Sequence, residues 1–375
     1  MSEQAALTLD RIRAAADRLA GIAHRTPLLT SATLDARCGA RVCLKAEPFQ
    51  RGGAFKFRGA YNRLSLLSAD ERARGVVAYS SGNHGAAVAL ASSVLGVHAV
   101  VVVPETGSPA KLAAIEGYGA EIRRYDPARE RREAVAAALA EERSLTVIAP
   151  FDDYDIMAGQ GTLGLELAEQ AGELDLVLVP VGGGGLAAGV ATAVTSLLPG
   201  TAVIGVEPAG ADDTYRSLRA GRRVSLEAVD TIADGLRASQ PGELTFPINQ
   251  RLLSDVVTVD DAAIIEAMWF CFSRLKVVVE PSGAVPLAAL LAGAVRADGR
   301  RTAVVLSGGN IDPADFASLL HSLPRTTPST IPNSPGRLQP RDAAGAPEGR
   351  SEGGTGRWVG PRGQAGNTAS PPAHG

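Results

Sequence analysis

Four segments of this 375-residue chain combine residue types and spacings that could do chemistry. The most specific is VPVGGGGLAAGVA, residues 179–191, where Gly182, Gly183, Gly184 and Gly185 follow an apolar run and lead into an alanine-rich one. Glycines let backbone N–H groups converge on an anion with no Cβ in the way, and a helix N-terminus favours negative charge there. A phosphate is the natural ligand; a tightly packed turn is the alternative. The absence of a following Gly-Lys-Ser/Thr excludes a Walker loop, and the lack of GxGxxG spacing argues against a dinucleotide. A monophosphate remains.

In the second segment, Glu47–Ala60, Lys56 sits between Phe55 and Phe57 in glycine- and alanine-rich surroundings. Desolvation would lower the pKa of such an amine, as a Schiff-base lysine requires, although a snorkelling surface lysine reads the same way. The third, Ser80-Ser81-Gly82-Asn83-His84-Gly85, ends a strand and opens a helix, so it could bind a carboxylate or only cap the helix. In the fourth, Glu207 and Asp213 lie six residues apart after a strand. Hard oxygen ligands of this kind suit magnesium or calcium, and helix capping is the competing reading.

These segments need a scaffold that places strand ends together. Strands are expected at 76–80, 97–103, 121–125, 146–149, 176–181, 202–206 and 302–306, with helices near 85–95, 109–118, 129–142 and 187–198. That rhythm is βαβαβ with parallel sheets, and ligands bind where loops leave the C-terminal strand ends. From Pro324 to Gly375, 9 Pro and 10 Gly in 52 residues point to a disordered tail. The net charge of −3, with Lys and Arg scattered, gives no reason to expect nucleic acid or an anionic membrane. No apolar stretch is long enough to cross a bilayer, and Cys38, Cys43 and Cys271 form neither a disulfide framework nor a CxxC pair, so a reducing cytoplasm is expected.

In sequential order, GAFKFRGA, SSGNHG, VPVGGGGL, GVEPAGADD, TIADGLR, VEPSGA and LSGGN resemble the fold-type II pyridoxal-phosphate enzymes, in particular the serine/threonine dehydratases and serine racemases, over Ile12 to Ser322. The resemblance implies an α/β fold like that of the tryptophan synthase β chain, with two three-layer αβα domains and parallel-rich sheets. Residues 1–50 and 153–323 would form the large domain, 51–152 the small one. It further implies that Lys56 holds pyridoxal 5′-phosphate and then acts as acid and base, and that Gly182 to Gly185 with the Leu186 amide cradle its phosphate. Phe55 would lie beside the ring, Asn83 would bond the 3′-oxygen and Ser307 would face the pyridine nitrogen, where a hydroxyl leaves that nitrogen mostly unprotonated and favours elimination. Ser80, Ser81, Asn83 and His84 would hold the substrate α-carboxylate. Glu207, the Ala211 carbonyl and Asp213 match a magnesium site, also suited to calcium or manganese, that is structural or activating.

The expected reaction is loss of water and ammonia from L-threonine or L-serine, giving 2-oxobutyrate or pyruvate. Ser81, a serine where racemase members carry the residue that protonates the opposite face, keeps serine racemisation open. GAFK in place of GSFK, and Ala86 where a glutamine often stands, keep threo-3-hydroxyaspartate open as a substrate. With no regulatory domain expected after Leu323, a catabolic or specialised role is expected in place of a feedback-controlled one. A homodimer is implied by the resemblance alone.

Overall fold

Runs of Val, Ile and Leu fix ten strands in the computed structural model, which describes residues 6–107 and 109–322. The tail expected from Pro324 to Gly375 lies outside the described residues. The strands are β1 (Leu28–Thr30), β2 (Arg41–Ala46), β3 (Val76–Tyr79), β4 (Ala99–Pro104), β5 (Glu121–Tyr125), β6 (Thr146–Val147), β7 (Leu176–Pro180), β8 (Ala202–Pro208), β9 (Asp255–Val259) and β10 (Arg301–Leu306). They form a six-stranded sheet in the order β1-β2-β10-β7-β8-β9 and a four-stranded sheet in the order β5-β4-β3-β6. All neighbours are parallel except β1, which runs antiparallel to β2.

Alternation along the strands shows why each sheet carries helices on both faces. On β7, Leu176 and Leu178 join one core with Ile264 and Met268 of the helix Asp261–Phe270 and Val285 and Leu287 of the helix Pro281–Leu291. Val177 and Val179 point the other way, toward Leu163 and Leu167 of the helix Tyr154–Ala171 and Val190 and Val194 of the helix Gly185–Leu197. The smaller sheet repeats the scheme. Val76, Ala78, Val101 and Val103 pack on the helices Lys56–Ser65 and Asn83–Leu95, whereas Val77, Val100 and Val102 pack on the helix Arg132–Arg143. The fold is therefore α/β with two three-layer stacks. Each of the strands expected from sequence is present, its ends shifted by at most two residues.

One polar cluster crosses these layers. Arg58, in the first turn of the helix Lys56–Ser65, is 1% exposed and donates from Nε and Nη2 to both carboxylate oxygens of Glu47 at 2.8 Å. Its Nη1 and Nη2 also reach Glu166 at 2.6 and 3.1 Å. Lys45 Nζ, fully buried on β2, closes the circuit with Glu166 at 2.6 Å, the Thr26 carbonyl at 2.8 Å and Gln170 at 2.8 Å. Two cations and two anions cancel, and the group is nearly saturated with hydrogen bonds, which is the condition for keeping charge in a dry interior. Arg58→Met leaves Glu47 and Glu166 without their shared cation, so urea unfolding should show a loss of about 3–5 kcal/mol; an unchanged midpoint would refute the cluster's role.

Candidate active site

Backbone pairing, not a side-chain cap, sets the start of the helix Lys56–Ser65. The Phe55 N–H donates to the Ser307 carbonyl at 3.0 Å, the Gly309 N–H donates to Gly53 O at 2.9 Å, and Ala54 forms an antiparallel bridge with Gly308. The segment leaving β2 is thus stitched to the segment leaving β10, its neighbour in the sheet. Lys56, Phe55 and Ser307 meet for that reason, although they are far apart in sequence.

Lys56 is half-buried, and its Nζ donates to the Pro150 carbonyl at 2.7 Å. The ammonium lies 5.2 Å from the centre of the Phe55 ring. Burial pushes its pKa down to about 8, because its partners are a carbonyl and an aromatic face and not a carboxylate. Pro150 belongs to a short segment after β6 where several site residues converge. His84 is buried and its Nε2 bonds the Ile148 carbonyl at 3.0 Å. Burial first, and the Lys56 charge second, push that imidazole to about 3, so it is neutral and Nε2–H is the donor. The ring is committed to Ile148, and only the backbone N–H of His84 is left to contribute to a carboxylate site.

The adjoining Phe151 is the floor of the glycine loop, since a Cβ on Gly183 would collide with its ring. The helix Gly185–Leu197 starts at Gly184, which has φ +92° and offers no side-chain cap. A Cβ there would be strained and would come within 2.5 Å of Asn249 Nδ2. The carbonyls of Gly183 and Gly184 are held by Thr245 Oγ1 at 2.7 Å and Asn249 Nδ2 at 3.1 Å, which turns the loop so that first-turn N–H groups are offered to an anion. A Cβ-free cradle beside a half-buried amine of lowered pKa fits a phosphorylated aldehyde cofactor.

Ser80 Oγ accepts from the Gly82 N–H at 3.2 Å, and the helix Asn83–Leu95 has no side-chain cap of its own. A cavity of about 790 Å³ opens over this loop and is lined by Ser81, Gly82, Asn83, Asp234, Asn310 and Asp315, among others. Lys56 and the glycine loop are not on its wall. Asn83 is held between Glu280, which accepts from its Nδ2 at 2.7 Å, and Asn310, which donates to its Oδ1 at 2.9 Å. Sequence reading did not single out Glu280, Asn310 or Pro150. The first two lie inside VEPSGA and LSGGN, which were noted only as matches, and nothing in the sequence marks a proline whose carbonyl holds the lysine.

The acidic pair sits at the end of β8. Glu207 is fully buried and accepts from the Thr214 and Tyr215 N–H groups at 3.0 and 2.8 Å, so it does cap the helix Asp213–Ala220. Asp213 is also fully buried, and neither carboxylate oxygen has a hydrogen-bond partner. Burial raises both pKa values, and the Asp213 charge raises that of Glu207 further.

Sheet order, a strand-end glycine cradle and a half-buried lysine of lowered pKa fit an α/β enzyme that works through a phosphorylated carbonyl cofactor. The family model for pyridoxal-phosphate dependent enzymes matches residues 19–308, and the chain belongs to that family, within its fold-type II branch. It is 44% identical to L-threo-3-hydroxyaspartate ammonia-lyase from Saccharomyces cerevisiae over 82% of this chain and 94% of that protein. The structure of maize serine racemase superposes with a TM-score of 0.81 at 41% identity, covering 84% of this chain and 97% of that one. The threonine deaminase of T.th. superposes with a TM-score of 0.78 at 49% identity, covering 81% and 99%. The family's chemistry is that of ammonia-lyases and racemases acting on small amino acids.

Covalent uptake of the cofactor requires a neutral amine. With Lys56 near 8, the rate at which cofactor-free protein takes up pyridoxal phosphate should climb as pH rises through about 8 and then level off. A stopped-flow absorbance series checks this; a rate still climbing well past that point would mean an ordinary, solvated lysine.

Proposed function

We propose that this enzyme removes water and ammonia from L-threonine or L-serine, giving 2-oxobutyrate or pyruvate. The observation that carries the choice of substrate is the cavity over Ser81–Asn83. Among the described residues its wall holds Asp234, Asp312 and Asp315 and no Lys, Arg or His. A neutral side chain is accommodated there, whereas the second carboxylate of 3-hydroxyaspartate would find no cation to offset its desolvation. The relative named threonine deaminase, at 49% identity, supports the same reading.

In this proposal Lys56 would carry the cofactor and serve as the acid and base that moves the substrate α-proton. Gly182, Gly183, Gly184, Gly185 and the Leu186 N–H would hold the phosphate, with Phe55 beside the ring, Asn83 as donor to the 3′-oxygen and Ser307 toward the pyridine nitrogen. Ser80, Ser81, Asn83 and the His84 backbone N–H hold the substrate carboxylate at a helix N-terminus. Bound pyridoxal phosphate supplies the electron sink that makes the α-proton acidic and the β-hydroxyl a leaving group. The protein's part is placement of the lysine, worth up to about 7–11 kcal/mol for an ideally oriented group. A racemase reading draws on Ser81, which lines the cavity as a hydroxyl beside the site, and on the serine racemases among the relatives.

The test is to supply L-threonine, L-serine and L-threo-3-hydroxyaspartate separately and follow 2-oxo acid and enantiomers by chromatography. Faster 2-oxo acid release from threonine or serine is expected, and Lys56→Ala should abolish it. Preference for 3-hydroxyaspartate would overturn the substrate assignment, and D-serine forming faster than pyruvate would make the enzyme a racemase.

We also assign a magnesium ion, or calcium or manganese in its place, to Glu207, the Ala211 carbonyl and Asp213. The support is the Asp213 carboxylate, buried without a partner beside a second buried carboxylate, a setting that a divalent cation relieves. Magnesium at a hundredfold excess over its Kd should stabilise the protein by about 2.7 kcal/mol, and Asp213→Asn should erase that gain. A melting temperature indifferent to magnesium in the parent enzyme would remove the assignment.

The two sheets support the division into residues 1–50 with 153–323 and 51–152, because β3 to β6 form one sheet and the remaining strands the other. Half-exposed Phe49, Trp269, Phe272 and Val278 support a homodimer, as apolar surface that association would cover. Three unpaired cysteines and the lack, among the described residues, of a helix able to span a membrane support a cytoplasmic setting.

A further inference from the structure

Asn83 does not choose its own orientation. Asn310 Nδ2 donates to the Gly52 carbonyl at 2.6 Å and to Asn83 Oδ1 at 2.9 Å, and Asn83 Nδ2 donates to Glu280 Oε1 at 2.7 Å. A backbone carbonyl can only accept, so the amide of Asn310 must turn its nitrogen toward Gly52. That nitrogen then faces Asn83, which must answer with its oxygen. The Glu280 carboxylate at the far end accepts from the remaining nitrogen. Acceptors at both ends leave the relay one direction.

Two glycines make room for it. Gly53 has φ +72°, and a Cβ there would collide with the Asn310 carboxamide; a Cβ on Gly308 would collide with the Glu280 carboxylate. These glycines flank the lysine segment and the Ser307 segment, where the two are stitched together. Asn83 begins the helix on the smaller sheet, while Asn310 and Glu280 belong to segments beside the larger one.

We propose that Asn310 is a positioning residue that acts through Asn83: it pins Asn83 Oδ1, so that the second Nδ2 hydrogen, and never the carbonyl, is what Asn83 presents to the cofactor's 3′-oxygen. This rests on the cofactor assignment above. A donor at that oxygen stabilises its negative charge and weakens its hold on the proton of the lysine–cofactor nitrogen. Loss of the donor therefore raises the pH at which that proton leaves. A shift of about one pH unit, tenfold in acidity, is the scale to look for.

The experiment titrates the visible absorbance of the pyridoxal-phosphate holoenzyme with pH, for the parent, Asn310→Ala, Asn83→Ala and the double variant, each checked for a folded thermal transition. If the parent shows no lysine-linked absorbance, the cofactor assignment has failed and not the relay. Given that band, both single variants should raise the midpoint by about one unit, and the double variant should rise no further than Asn83→Ala, because Asn310 acts only through Asn83. An unmoved midpoint in Asn310→Ala, additive shifts in the double variant, or failure of Asn310→Ala to fold would overturn the proposal; in the last case Asn310 would be a strut of the fold.

Discussion

The site depends on a charge cluster that never touches it. Lys45, Glu47, Arg58 and Glu166 lie where water does not reach, with Glu166 the most exposed at 15% of its side chain. Burying even one such ion costs several kcal/mol, and the cluster persists because it is neutral as a whole and nearly saturated with hydrogen bonds. Its geometry is therefore rigid in a way that an apolar contact of the same size is not. Arg58 stands in the same helical turn as Lys56, Lys45 is the penultimate residue of β2, and Glu166 lies on the helix Tyr154–Ala171. Each member fixes one element, and together they decide where the helix Lys56–Ser65 points.

That arrangement also decides the chemistry of Lys56. Of the carboxylates that bond this helix, Glu47 and Glu166 are taken by Arg58 and Asp153 by Arg63. Lys56 is left with the Pro150 carbonyl and the Phe55 ring, which hold an amine in place without holding its proton. A lysine in the same pocket with a carboxylate beside it would keep its charge and be a poor base. With no carboxylate bonded to Lys56, burial alone sets the direction of its pKa shift, downward.

Legibility in the sequence followed the strength of the local signal. Fully buried parallel strands such as β4 and β7 read as unbroken Val and Leu runs and were found within two residues. β2, with Arg41 and Lys45 inside it, and β9, which begins at an exposed Asp255, carry polar residues and were missed. The buried Lys45 is tolerated only because Glu166 arrives from more than a hundred residues away, which no local pattern contains. Lys56, Asn83 and the glycines of 182–185 stand out in sequence because glycine-rich turns leave a mark there, whereas Ser307 is named through the resemblance alone. Glu280, Asn310 and Pro150 do not stand out, since their roles come from what lies opposite them. For Glu207 the capping reading is seen directly, and it stands beside a carboxylate that caps nothing.

Two sets of ionisable groups among the described residues differ in an informative way. Those of the Arg58 cluster are answered from within the chain, and their neutrality leaves nothing for a ligand to do. Half-buried Lys56 and fully buried Asp213 have no opposite charge bonded to them. A fold does not leave such groups dry at no cost, because each lowers stability in its ionised form. That cost would be offset if the group were answered from outside, as the function and cation site proposed above would do for Lys56 and Asp213. The answered charges thus mark what holds the fold together, and the unanswered ones mark where the chain is built to receive something else.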